Sequence, residues 1–240
     1  MHPPFPGAAF NGLSMKKTHS ASSRSTAESM PAPRKPRSRK NQTTREAILE
    51  AAELTFAQKG YAGATVERIS KQAKCYESLI YYHFGSKDKL FSLVLENAYR
   101  KLIEAEQALE LDFDKPEAAL RTIILFIWDY YQNHPELIIL LNTENLHKGK
   151  HLKKIQSLNQ LFSPAIEILQ AIVESGVREK IFRADINVMN LYISIMSLGY
   201  FYVSNRYTLS AFLDKNLMAP EECSQWSEHI VDIVFKSVRK

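Results

Sequence analysis

Apolar residues recur at three- and four-residue spacing along almost the whole chain beyond residue 42, and nowhere do they alternate as a half-buried strand requires. Thr43-Thr44-Arg45-Glu46 has the form of a capping box, in which the Thr43 hydroxyl accepts the Glu46 amide and the carboxylate returns to the cap. Ile48, Ala51, Ala52 and Phe56 follow on one helical face until Gly60 stops the run. Thr65 is a good N-cap for a short second helix with Val66, Ile69 and Ala73 on one side. Lys74-Cys75-Tyr76 separates it from a third helix through Phe84; Gly85 and Ser86 end that helix and cap a fourth, Lys87 to about Leu111.

The rest of the chain is punctuated in the same way. Asp114-Lys115-Pro116-Glu117 resembles a second capping box, ahead of Leu120, Ile123, Ile124 and Ile127. Asn133-His134-Pro135 breaks that helix and starts another to about His147, which Gly149 ends. A long helix is expected from about Leu152 to Gly176 with a bend at Pro164, then one over 186–208 capped by Asp185, and a last one from Pro220 to Val238. The 186–208 segment is apolar almost all round, as a helix packed on two sides must be. With Trp226, Ile230, Ile233 and Val234 of the last helix it forms a candidate dimer interface.

Three short helices with a three-residue break between the second and third form a helix-turn-helix, whose second unit enters the major groove of DNA. In "SLIYYHFGSKDKL", residues 78–90, Leu79, Ile80 and Tyr82 or Phe84 are available to pack inward, leaving Glu77, Ser78, Tyr81 and His83 on the other side. Periodicity alone leaves open whether these rings are core or contact surface.

Charge changes the picture at the N-terminus. Residues 1–42 carry eight Lys and Arg side chains against Glu28 alone, a net +7, whereas the whole chain is +5, so residues 43–240 sum to −2. The high isoelectric point therefore belongs to the tail and is no argument that the folded part is basic. Rich in Pro, Ser and charge and without period, residues 1–42 are expected to be disordered. "RKPRSRK" is either a solubilising linker or an arm along phosphates. The tail has no apolar core of signal-peptide length; a transit peptide is the weaker reading, and Met15 offers an alternative start. Cys75 and Cys223 fit neither a zinc pattern nor a disulfide scaffold, in keeping with a reducing cytoplasm. The most apolar run, Leu191 to Val203, falls short of the ~20 residues a membrane span needs.

"NTENLHKGKHLKK", residues 142–154, brings Glu144, His147 and His151 close in sequence, but Gly149 interrupts the helix between the histidines, so the segment reads as a basic solvated turn and no metal site is expected. No nucleophile elbow, phosphate loop or paired carboxylates appear, so no catalytic residue, cofactor or enzymatic activity is expected.

Residues 48–90, "ILEAAELTFAQKGYAGATVERISKQAKCYESLIYYHFGSKDKL", resemble the DNA-binding domain of the TetR family of transcriptional regulators: Ile-Leu-x-Ala-Ala, Phe, Gly-Tyr, Ala-Thr, Tyr-x-His-Phe and Ser-Lys-x-x-Leu fall at matching positions. The resemblance implies an all-α subunit of about nine helices, with a helix-turn-helix domain over residues 43–90 and a larger ligand-binding and dimerisation domain over 91–240. It implies a cytoplasmic homodimer on double-stranded operator DNA, acting as a repressor released by a small-molecule effector. The alternative is a constitutive regulator or activator whose C-terminal domain mainly recruits a protein partner. By position, Thr65, Tyr81, His83 and Lys87 would meet phosphates, and Glu67, Arg68, Glu77, Ser78 and Leu79 would read bases, with Tyr76 beside them. Two departures stand out: Lys74 occupies a turn position usually held by Gly, and Tyr76 cannot cap the recognition helix with a short hydroxyl. "ENLHKGKHL" and "YFYVSNRYTLS" are similar to regulators of aromatic and heteroaromatic catabolism in the family. Helical phase offers Trp128, Phe162, Met196 and Tyr200 as walls of an effector pocket, with Asn142 and Asn145 as orienting amides.

Overall fold

The computed structural model describes residues 37–155 and 158–240. The expectation of a disordered tail falls, for residues 1–36, outside the described residues. Among them the chain forms nine α-helices: α1 (Arg37–Gly63), α2 (Val66–Gln72), α3 (Glu77–Phe84), α4 (Lys87–Gln107), α5 (Pro116–Asn133), α6 (Pro135–Leu146), α7 (Leu158–Arg178), α8 (Val188–Leu213) and α9 (Pro220–Val238). A 3₁₀ turn, Leu152–Lys154, precedes α7, and the described residues form no strand beyond one isolated bridge between Phe182 and Arg239.

Several boundaries differ from the sequence reading. Helix α1 begins at Arg37, directly after Pro36 in sequence, so Thr43 lies inside it and not at its cap. Gly60 does break the helical path, at φ 66°, but a further turn follows to Gly63. The cap of α5 is the backbone of Lys115, with no side-chain bond, because Pro116 already removes one of the amides that a cap would satisfy. Helix α8 is capped by Asn187, whose side chain accepts the Asn190 amide at 2.9 Å; Asp185, two residues too early, pairs with Arg183 at 3.0 Å instead. The segment expected as one helix from Leu152 divides into the 3₁₀ turn and α7, which includes Pro164. Gly176 does not end α7. A Cβ there would lie 2.0 Å from the buried Phe182 ring, so its role is to let that ring seat against the helix.

Helices α1 to α3 and the start of α4 enclose one core, in which Ile48, Ala52, Phe56, Ile69, Leu90 and Phe91 have no exposed surface. Phe56 and Phe91 meet edge to face at 4.8 Å, and each such side chain contributes about 1.5–3 kcal/mol on burial. A second core, continuous with the first, runs between α5, α7, α8 and α9 through Leu120, Ile123, Ile172, Ile195, Ile230 and Val234. Helix α4 belongs to both. Its N-terminal turn packs on α1 and α3, and further along it packs on α6 and α7.

Helix α8 buries Leu191, Tyr192, Ile195, Tyr202 and Val203 on one side. On the other it exposes Met189, Ile193, Phe201 and Phe212. No described helix is long and apolar enough to cross a membrane.

Candidate functional site

The turn between α2 and α3 puts Lys74 at φ 52°, the left-handed conformation that glycine adopts freely and lysine at a cost of about 1 kcal/mol. Thr65 caps α2 by accepting the Arg68 amide at 3.2 Å. Tyr76 occupies the N-cap of α3 with extended backbone and no side-chain bond. With no bond to hold it in, its ring is 82% exposed.

Helix α3 turns Ile80 and Phe84 inward and holds Leu79 partly buried against the core. Leu79 is thus more a packing residue than a free reader of bases. Glu77, Ser78 and Tyr81 face solvent, and so does Tyr82, which is 75% exposed. Of the two rings offered for inward packing, Phe84 is buried and Tyr82 is not. Tyr82 follows Ser78 by four residues, which places it on the outward face, and that spacing was the available signal.

Other candidates are already engaged. Glu67 pairs with Lys71 at 2.6 Å, which holds its carboxyl below the usual range. The Arg68 guanidinium donates to the Gly63 carbonyl at 2.9 Å. His83 lies between the rings of Tyr82 and Phe84, at 5.0 and 6.2 Å. Lys87 begins α4 immediately after the Ser86 cap and lays its ammonium over the Tyr61 ring, 4.5 Å from the centroid.

A second feature lies in the C-terminal half. Tyr99 from α4, Tyr131 from α5, Leu141, Glu144 and Asn145 from α6, Leu152, and Tyr192, Ile193, Met196, Ser197 and Tyr200 from α8 line a cavity of about 290 Å³ that opens to solvent. Ligand cavities start near 300 Å³, so this one suits a small molecule. The Tyr131 hydroxyl reaches the Met196 sulfur at 3.4 Å. Asn145 donates to the Tyr200 hydroxyl at 3.5 Å, and Tyr200 donates to Asn142. The Tyr192 hydroxyl is buried without a partner among the described residues. Burial raises the phenol pKa of Tyr99 to about 12 and that of Tyr192 further, so both rings present protonated hydroxyls at neutral pH.

Of the expected pocket residues, Asn145, Met196 and Tyr200 line this cavity and Asn142 stands just behind Tyr200. Trp128 does not: it is 2% exposed, edge-on to Tyr202 at 5.3 Å, in the core between α5 and α8. The side chain of Phe162 lies outside the described residues. The three buried or half-buried tyrosines 99, 131 and 192 were missed; a phenol on an otherwise apolar helix face was the signal, since a buried Tyr hydroxyl needs a partner.

The segment read as a basic solvated turn is solvated at Lys148, Lys150, Lys153 and Lys154, but not at Glu144 and His151. His151 has no exposed surface and Glu144 is 2% exposed, because the loop after α6 folds back over the start of α4 and buries both. No cluster of three or more His, Cys, Asp or Glu among the described residues has a metal-binding arrangement.

The sequence profile described as "Bacterial regulatory proteins, tetR family" matches residues 48–94, and that described as "Tetracyclin repressor-like, C-terminal domain" matches residues 116–234. The chain is 45% identical over 197 residues to the HTH-type transcriptional repressor NicS of Pseudomonas putida KT2440, covering 82% of this chain and 93% of that one. Among solved structures it resembles a putative transcriptional regulator of Streptomyces coelicolor, SCO4942, with a TM-score of 0.60, 22% identity and coverage of 81% and 98%. The hemolysin II transcriptional regulator HlyIIR matches with a TM-score of 0.51, 21% identity and coverage of 83% and 99%; these two likenesses concern the fold.

Proposed function

Because the chain belongs to the TetR family of bacterial transcriptional regulators, we propose that it is a repressor that binds a palindromic operator as a homodimer and leaves it when a small molecule fills the cavity beside Tyr192. The observation that carries this reading is the pairing, in one chain, of an outward-facing recognition helix with a pocket whose wall holds a buried hydroxyl unpartnered among the described residues. Both are reached by α4, which starts at Lys87 beside the recognition helix and contributes Tyr99 to the cavity wall.

On the DNA side, Thr65, Tyr81, His83 and Lys87 are assigned to phosphates and Glu77 and Ser78 to base edges, with Tyr76 and the newly identified Tyr82 flanking them. Glu67 and Arg68 could join only by leaving the partners they now hold. The exposed apolar row of α8, with α9, is assigned to the two-fold interface, since a monomer has no use for Phe201 and Phe212 in water. Residues 43–90 then act as the DNA-binding domain and 91–240 as the effector and dimerisation domain, in a cytoplasmic protein. The basic segment 34–40, whose residues from Arg37 onward lie in α1, remains assigned to a linker or phosphate arm. Four tyrosine rings and the Asn145 amide suit a planar ring with several hydrogen-bonding groups. The reading of a constitutive regulator or activator is not favoured, because it leaves that cavity without a role and the similar NicS is itself a repressor.

The test is electrophoretic retardation of the DNA just upstream of the chain's own coding region. Retardation relieved by a small molecule supports the reading; a footprint without two-fold symmetry, or DNA that no compound releases, contradicts it.

A further inference from the structure

Between the cavity and the start of α4 runs a connected set of polar groups. Glu144 lines the cavity and is almost fully buried. Away from the cavity, its Oε1 accepts the backbone amides of His151 at 2.7 Å and Leu152 at 2.9 Å, while its Oε2 stands 2.6 Å from His151 Nδ1. Three hydrogen bonds from one loop make this buried carboxylate tolerable, and they also mean that the loop is folded around it.

His151 faces the other way as well. Its ring is packed against Phe91 at 4.8 Å and Tyr61 at 5.1 Å. Its Nε2 has no hydrogen-bond partner among the described residues and lies 4.0 Å from Asp88 Oδ1. Asp88 is the second residue of α4. It accepts the Tyr61 hydroxyl and pairs with Lys150 at 2.9 Å and Lys154 at 3.6 Å, both carried by the same loop as His151. Its neighbour Lys87 rests on the Tyr61 ring.

We propose that Glu144, His151 and Asp88 form a polar strap that passes occupancy of the cavity to the first turn of α4, with the His151–Asp88 gap as its joint. The strap rests on the repressor reading above for its purpose, though not for its existence. Hydrogen bonds need a separation of about 3 Å, so the joint is open here by roughly 1 Å; with Nδ1 held on the Glu144 carboxylate, closing it takes a ring that donates from both nitrogens, because Asp88 Oδ1 only accepts. A ligand donor that draws the Glu144 carboxylate into the cavity must take it from the His151 and Leu152 amides. The loop then shifts, carrying His151, Lys150 and Lys154 relative to Asp88, and the Tyr61–Asp88–Lys87 group loses its fixed position. An element with two arrangements that both sites bias is what such coupling physically requires.

The test uses the full chain and two readouts. In amide hydrogen exchange without DNA, Asp88→Asn is expected to speed exchange at His151 and Leu152 at least tenfold, although it touches neither amide. Glu144→Gln is expected to do the same at Leu90, whose amide bonds the Ser86 carbonyl in the first turn of α4. His151→Phe keeps the ring packing, removes both nitrogens and replaces Glu144→Gln if that variant does not fold. Exchange that changes only on the mutated side of the joint overturns the strap. In the second readout, a duplex selected by the wild-type chain from a random library is titrated by fluorescence anisotropy. Asp88→Asn and Glu144→Gln should each weaken binding about tenfold and the double variant no more than about threefold further. A double loss near a hundredfold means independent sites and sinks the proposal. If the wild-type chain selects no duplex, the repressor reading fails and the exchange readout still decides on the strap.

Discussion

The ammonium of Lys87 lies 4.5 Å from the centroid of the Tyr61 ring, and the Tyr61 hydroxyl is donated to Asp88, the residue next to Lys87. Burial, with Asp88 adding to it, pushes the Tyr61 pKa up to about 12, so the phenol keeps its proton and its bond at neutral pH. Burial also lowers the pKa of Lys87. A cation held this way on a ring has already lost part of its side-chain entropy before DNA arrives.

Lys87→Ala should therefore weaken binding to all duplexes alike and reduce the salt slope of log K by about 0.9, the value for one phosphate contact. Tyr61→Phe keeps the ring and removes only the hydroxyl, so it should cost several-fold with the slope unchanged. Titrations between 50 and 200 mM salt, on the order of the range where such slopes are resolved, separate the two. An unaltered slope in Lys87→Ala would mean that this side chain reaches no phosphate.

On α3 the expected effects divide by direction. Ser78→Ala and Glu77→Gln should change which bases are preferred, at about 1–3 kcal/mol per altered position. Tyr81→Phe should weaken all sequences evenly. Tyr82→Ala should also weaken binding, since a ring this exposed on the recognition helix has no packing role to lose. Selection from a random duplex library with each variant reads both quantities, and a Tyr82→Ala protein indistinguishable from wild type would remove that residue from the interface.

The helical plan was legible because caps and breaks such as Thr65, Ser86 and Asn133-His134-Pro135 are local events, and they fall at element ends in the structure. Direction was harder. Helix α3 is only two turns long, so the one spacing that separates Tyr82 from Phe84, four residues after Ser78 and after Ile80 respectively, was easily overlooked, and Trp128 sits on α5, whose apolar stripe is wide enough to serve either core or cavity. Burial of Glu144 and His151 could not be read at all from a segment containing Lys148, Gly149 and Lys150. It follows from where the loop lands, against Tyr61, Asp88 and Phe91, residues at least 50 positions away in sequence. Thr43 shows the opposite error: the local pattern of a cap was present, and the helix nevertheless began six residues earlier.

Glu106 sets a pH dependence of stability. It is 3% exposed on α4, pairs with no cation among the described residues, and burial pushes its carboxyl up to about 7 from 4.5. The folded state therefore holds this proton more tightly than the unfolded chain does. The associated stability is fully present below about pH 4.5 and is lost as pH rises through about 7. The loss amounts to roughly 3 kcal/mol when complete. Glu106→Gln keeps the shape and cannot ionise, so its melting temperature should match wild type near pH 4 and exceed it by several degrees at pH 8. Parallel melting curves across that range would show that Glu106 is already satisfied in the wild-type fold.

Tyr192 and Trp128 carry opposite expectations although both lie in the apolar interior beside α8. The Tyr192 hydroxyl is buried in the cavity wall without a partner among the described residues, so deleting it in Tyr192→Phe removes an unsatisfied group and leaves stability unchanged or up to about 1 kcal/mol higher. If that hydroxyl serves the effector, the same variant needs at least tenfold more compound to release DNA, because a hydrogen bond of this kind is worth about 1.5 kcal/mol once the site is closed to water. Trp128 fills space against Tyr202 and is not among the residues lining this cavity. Trp128→Ala should cost about 3–5 kcal/mol of folding stability through the void it leaves, and the fraction that stays folded should respond to the compound almost as wild type does. Melting curves and release titrations with the compound found by gel retardation measure both quantities on the same preparations. A Tyr192→Phe protein that releases DNA at the wild-type concentration would place the effector elsewhere, because the change leaves the rest of the cavity wall as it is.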